Sequence, residues 1–241
     1  MSIKETYYNW NRDNKDFMFI DSRENAIDSL ESALHFLNRV DNLKWKWIII
    51  SLYHALYMFC VTNLEGSNYQ NVLESSKEAD EGTYFKRGNE NWKKSHKQKI
   101  SDKGFYKIVW ETIEGEPPVI ENNKRKIKKE KLISFPIALA RVQDSEFWMS
   151  QYVFSKHLEL SEKQIHSIEL LVEYRNRFSH FIPIGLMTGI KNFINIIPDI
   201  LDVIEFLALK TGTSLILYEE GAEERIKKTL EQIRLQLKKA F

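Results

Sequence analysis

The sequence predicts an all-α fold, on three observations. Apolar residues recur at spacings of three and four over long stretches, the period of a helix that buries one face. Helix start and stop signals bracket those stretches, with Asp or Ser before them and Gly or Pro after them. Hydrophobic residues make up 43 % of the 241 and aromatics 12 %, which supplies a sizeable core and argues against disorder.

The elements follow in order. Asp21 and Ser22 are N-cap candidates for a first helix carrying Ile27, Leu30, Leu34 and Leu37. It stops near Val40-Asp41-Asn42, and a mostly apolar second helix runs from about Leu43 to just before Gly66. So short a connection makes the two an antiparallel hairpin. From Gly66 to about Asn91 the chain is polar, without a period, and reads as loop. Ser134, with Pro136 two residues on, opens a further helical segment holding Leu139, Phe147 and Trp148. Ser161-Glu-Lys-Gln164 has capping-box form and starts a helix reaching about Phe181, where Pro183 and Gly185 stop it. A fourth long pattern spans Leu186 to Lys210, with Pro198 as a kink or restart and Gly212 at its end. Ser214–Tyr218 (SLILY) is a strand candidate too short to decide. In the tail, Ile226, Leu230, Ile233, Leu237 and Phe241 form one stripe, suited either to dimerisation or to folding back on the bundle. One domain, 1–241, is expected. Its core helices lie at about 21–65 and 161–210, an insertion at about 66–160, and an added C-terminal helix at about 222–241.

Charge and cysteine content narrow the function classes. Net charge is +1, so no global field favours nucleic acid. Locally, Lys86 to Lys131 holds fourteen Lys/Arg against seven Asp/Glu, leaving the remainder of the chain net acidic. Within it lies the run KRKIKKEK, whose Lys124, Arg125, Lys126, Lys128 and Lys129 are candidate RNA-phosphate contacts, set against a plain solvated face. Cys60 is the single cysteine, which excludes an intrachain disulfide and a thiolate zinc site and suits a reducing, cytoplasmic compartment. The first residues contain no apolar signal segment. Trp45 to Leu64 approaches the roughly 20 residues of a membrane span, but Lys46, Ser51, His54, Thr62 and Asn63 interrupt it, so it reads as a core helix.

The chemistry-bearing stretch is LLVEYRNRFSHFIP, Leu170 to Pro183. On a helical wheel Leu170, Leu171, Tyr174, Phe178 and Phe181 join Ile165, Ile168 and Val172 in one apolar sector, while Arg177 falls on the solvated side. Arg175 falls inside the apolar sector, where a guanidinium is costly unless paired. Asn176 and His180 align four apart at the sector's edge. Two explanations stand open. In one, Arg175 reaches a carboxylate or carbonyls on a neighbouring helix and His180 caps the last carbonyls. In the other, Arg175 awaits a phosphate and His180 transfers a proton.

Arg175-Asn176-Arg177-Phe178-Ser179-His180 resembles the Arg-x4-6-His signature of the HEPN superfamily, in which a polar residue, often Asn, follows the Arg. There the motif sits late in the third helix of an antiparallel bundle, after a hairpin and before another long helix. The resemblance covers Ser161 to Lys210 and, more loosely, Asp21 to Leu64. It implies a HEPN-like bundle and a metal-independent RNA endonuclease of the toxin or antiviral-defence kind, without cofactor. It further implies a homodimer whose two motifs face each other; a neutralising or regulatory protein is a candidate partner, and the interrupted Trp45–Leu64 stretch sets the expectation of no membrane association. In some toxin members a Tyr two residues after the His receives a nucleotide; Ile182 stands there, so that regulation does not carry over.

RNA supplies its own nucleophile, the 2′-hydroxyl, so the protein needs a base, a cation at the phosphate and an acid for the leaving 5′-oxygen. The expected roles are His180 as base with its symmetry mate as acid, Arg175 on the phosphoryl oxygens, and Asn176 orienting either. No metal is required, and His35, His54, His96, His157 and His166 show no ligand spacing. His54 and His35 read as satisfied core histidines rather than catalytic ones. Trp92 beside Lys93 and Lys94, and Tyr7, Tyr8 and Trp10, read as packing or as an ordered arm rather than as base-stacking platforms. Two other readings remain: a catalytically inactive HEPN-like module that binds RNA or protein, and a helical adaptor in which the Arg–His cluster is structural.

Overall fold

Asp21 caps the first helix as its sequence position predicts. It is extended, and its carboxylate accepts from the backbone N–H of Arg23 at 3.0 Å and of Glu24 at 2.9 Å. The computed structural model describes residues 21–66, 71–73, 132–145, 148–149, 154–179, 188–213 and 221–239, together with the backbone of 69–70, 84–85, 94–100 and 108–114. The SLILY segment, the basic run, the N-terminal aromatics, Trp92 and residues 180–187 lie outside the described residues.

Helix α1 (Ser22–Leu37) and α2 (Lys44–Glu65) form the expected antiparallel hairpin. The start of α1 is tied to the end of α2 by the Ser22 hydroxyl, which donates to the Glu65 carboxylate. α3 (Phe135–Arg141) starts behind Ser134 with Pro136 in its first turn, the position where a missing N–H costs nothing. It holds Leu139, while Trp148 is buried beyond its end. α4 (Glu162–Ser179), α5 (Ile190–Leu209, continuous through Pro198) and α6 (Ala222–Lys239) complete the bundle.

α2 is the central helix, packed against α1, α3, α4 and α5. It is long and apolar enough to cross a membrane by length and composition, yet most of it is buried between its neighbours. Thr62 and Asn63, buried near its end, are hydrogen-bonded there. The Asn63 amide donates to the carbonyls of Phe59 and Leu207 at 2.7 and 2.8 Å and accepts from the hydroxyls of Thr211 and Thr213. A buried amide with every group paired locks α2 to the end of α5, where leaving it unpaired would cost about 1–3 kcal/mol. Gly212 follows with φ +75°, a left-handed turn, and a Cβ there would stand 2.8 Å from the Phe154 carbonyl.

The C-terminal stripe folds back. Ile226, Leu230, Ile233 and Leu237 are buried, and α6 packs on α1 and α5. Arg225 fastens the contact, pairing with Glu24 at 3.1 Å and Glu31 at 2.9 Å on α1.

The insertion leaves and re-enters the bundle at one point. Leu73 bridges Leu132, and the Ile133 N–H donates to the Val72 carbonyl at 2.9 Å. After it, Ile133, Phe135, Ala138, Leu139, Val142, Trp148 and Met149 all join the common core. Between those ends the chain carries an antiparallel sheet of β1 (Tyr84–Phe85), β2 (Lys94–Ile100) and β3 (Ile108–Glu114), in that order, with Lys94 opposite Glu114 and Ile100 opposite Ile108. The bundle is all-helical as expected; the sheet corrects the assignment of β1 to an aperiodic loop and was not anticipated in the basic segment. The reason is plain in KSHKQKI, where no apolar alternation marks a buried face.

Candidate functional site

The capping box of α4 forms as its sequence implies. The Gln164 N–H donates to the Ser161 hydroxyl at 3.3 Å, and the Ser161 N–H donates back to the Gln164 side chain at 3.0 Å. From that start the helical period buries Ile168, Leu171, Val172 and Tyr174 and brings Phe178 against the core. Ser167 donates to the Asp199 carboxylate on α5 at 2.7 Å, and Lys163 donates to its other oxygen at 2.8 Å, so the α4–α5 angle is pinned near its middle. Arg177 is the solvated charge the wheel indicated, paired with Glu173 one turn back at 2.5 Å.

Arg175 sits differently. It is half-buried, and its guanidinium lies over the Tyr53 ring of α2, 4.6 Å from the centroid. Its Nη1 donates to the Asn176 side-chain oxygen at 3.0 Å. Among the described residues no carboxylate pairs with it and no backbone carbonyl accepts from it. The neighbouring-helix ion pair that would make this arginine purely structural is therefore not found among them. An aromatic face offsets about 0.5–2 kcal/mol of the cost of half-burying the cation. Among the described residues Asn176 is the one acceptor on the N–H fork, a group well shaped for an anion.

Tyr53 is itself held as a platform, its ring 5.0 Å from that of Phe135 on α3 and 6.5 Å from that of Tyr57. The Tyr57 hydroxyl donates to the Ile133 carbonyl, which anchors this aromatic group to the point where the insertion re-enters. Burial raises the Tyr53 phenol above its ordinary pKa, with Arg175 opposing, so the ring stays neutral under the cation.

Next to Tyr53 on α2 is His54, which its place in the sequence assigned to the core. It is half-buried, and its Nδ1 lies 2.7 Å from the Ser29 hydroxyl of α1. Its pKa is held below the ordinary value, first by burial and then by Arg175; Asp28 on α1 pulls the other way. The hairpin and α4 thus link Asn176, Arg175 and Tyr53 by direct contact, and bring Arg175 within electrostatic reach of His54, which Ser29 and Asp28 of α1 adjoin. Of the three residues named from the motif, Arg175 and Asn176 stand together there. His180 lies outside the described residues, as do Lys124, Arg125, Lys126, Lys128 and Lys129. The signal that could have found His54 was its place as a titratable residue in an apolar helix; what it faced was not readable.

The chain matches no family model, no curated protein and no solved structure.

Proposed function

We propose that the chain is a metal-independent RNA endonuclease of HEPN type, acting as a homodimer in a prokaryotic toxin or anti-phage role in the cytoplasm. One observation carries the reading: Arg175, in the pattern Arg-Asn-x-x-x-His, is half-buried on an aromatic ring with no carboxylate partner among the described residues. An arginine kept in that state is suited to a phosphate. Arg175 takes the phosphoryl oxygens of the scissile bond, Asn176 orients the guanidinium it already bonds, and His180 serves in proton transfer. The 2′-oxygen attacks the phosphorus, the P–O5′ bond breaks, and the products are a 2′,3′-cyclic phosphate and a 5′-hydroxyl.

Incubating the purified chain with mixed RNA in excess EDTA, and mapping the cleaved ends, tests this. Cleavage leaving cyclic phosphate ends is expected. Arg175→Ala and His180→Ala should each abolish it, with losses far from additive because both act on one transition state. Wild-type cleavage by His180→Ala removes the assignment, and activity restored to an EDTA-treated sample only by added metal removes the metal-free mechanism. RNA binding without cleavage would instead support the inactive binding module.

A further inference from the structure

The Ser29–His54 pair determines more than a hydrogen bond. Ser29 has one hydroxyl proton, and its oxygen lies 2.6 Å from the Asn25 carbonyl, one helical turn back, an acceptor with no proton of its own. That carbonyl takes the proton. Toward His54, at 2.7 Å, the Ser29 oxygen can then only accept, so the imidazole carries its proton on Nδ1. In the neutral ring Nε2 is consequently the basic nitrogen, and among the described residues nothing hydrogen-bonds to it. A histidine that merely satisfied the core would need only the Ser29 bond. This one also stands next in sequence to Tyr53, whose ring carries Arg175.

We propose that His54 is the general base of the Arg175 site, with Nε2 taking the 2′-hydroxyl proton of an RNA whose phosphate rests on Arg175, and with Ser29 as its positioning residue. This rests on the ribonuclease reading and deepens it. The proton passes from the 2′-oxygen to Nε2 as the 2′-oxygen–phosphorus bond forms. The P–O5′ bond breaks, and the leaving oxygen takes a proton from water. The groups that act on the ring are Asp28 and Ser29 of α1 and Arg175 of α4. Arg175 favours the neutral, basic ring near pH 7, and Asp28 moderates the effect.

His54→Asn is the informative variant, because the Asn amide nitrogen occupies roughly the place of Nδ1 and can still donate to Ser29 while Nε2 is deleted. With the full chain and RNA in EDTA, kcat should fall about a hundredfold or more, with KM little changed, and the acidic limb of the pH–rate profile should disappear. Ser29→Ala should lower kcat rather than raise KM, and Ser29→Thr should restore it. A second arm needs no turnover. A histidine-ring NMR titration with a 3′-nucleoside monophosphate, His54 being assigned by its loss in His54→Asn, should show the Nδ1–H tautomer in the free protein. The nucleotide should raise the His54 pKa, and Arg175→Gln should abolish that shift. If wild type cleaves RNA and folded His54→Asn cleaves equally with the same pH profile, the proposal is overturned and the ribonuclease reading stands. If the nucleotide leaves His54 unmoved, or Nε2 carries the proton, the proposal is likewise overturned. If wild type cleaves no RNA, the ribonuclease reading falls and takes the base role of His54 with it.

Discussion

Arg175 and His54 divide between them the two ways a polar group survives in a helical core. His54 surrenders part of its basicity: burial and the nearby guanidinium hold its pKa below the ordinary 6.5. Arg175 keeps its charge and spreads it over the Tyr53 ring. The histidine's shift has a consequence for stability. Its folded pKa is depressed, so around pH 6 and below the unfolded chain binds the proton more readily than the folded one. The contribution is fully present above pH 6.5 and is lost as pH falls through the folded value. Tm should therefore decline as the pH is lowered from about 7 toward about 5, and His54→Asn should decline less steeply over that window, because the titrating ring is gone. Thermal melts of the two proteins across that range check it; parallel curves would show that the ring titrates alike in both states.

Helix α6 shows how one stripe can have two uses and be assigned only one. Ile226, Leu230, Ile233 and Leu237 repeat at helical spacing, which serves a coiled-coil seam as readily as a bundle face. Burial against α1 and α5 commits it to the bundle, and Arg225 holds the register through Glu24 and Glu31. These surface ion pairs contribute little stability but a definite geometry. Leu230 is almost wholly buried, so Leu230→Ala should cost about 2–5 kcal/mol, seen as a lower denaturant midpoint with an unchanged slope. The destabilisation should be independent of protein concentration if the stripe is intramolecular. A midpoint that moves with concentration would mean that α6 is exchanged between chains.

At the scale of the whole molecule, the site face and the insertion meet at the aromatic group of Tyr53, Tyr57 and Phe135, beside the strand-like bridge where the insertion re-enters. Two predictions belong here. One Arg-Asn-x-x-x-His motif per chain implies a two-fold assembly that sets two motifs together. Mixing wild type with an excess of His180→Ala should then depress RNA cleavage below simple dilution, through mixed dimers. A monomer by light scattering that still cleaves RNA far below micromolar concentration would refute the dimer. Replacing Lys124, Arg125, Lys126, Lys128 and Lys129 by Gln should weaken RNA binding across sequences. It should also flatten the salt dependence by about 0.7 log units per log salt for each single-strand phosphate that is no longer neutralised. Cleavage at saturating RNA should persist. Unchanged affinity and salt slope would remove the insertion from the RNA path and point to a protein partner for it.

Sequence alone determined the helices, because their causes are local. The Asp21 cap, the Ser161–Gln164 box, Pro136 in a first turn and the α6 stripe each act within a few residues, and all appear as read. It also marked Arg175 as out of place on its helix, since a wheel needs only the neighbours in the chain. It could not tell what Arg175 faces. The ring beneath it, Tyr53, is more than a hundred positions away, and no periodicity encodes a partner at that separation. The same limit hid the three threads of the Asn63 network, and the small sheet whose polar strands carry no alternation. Above all it hid the role open to His54, because the tautomer of an imidazole depends on whether its neighbour's hydroxyl has a proton left to give. Only the packing of α1 against α2, which places Ser29 between Asn25 and His54, decides that.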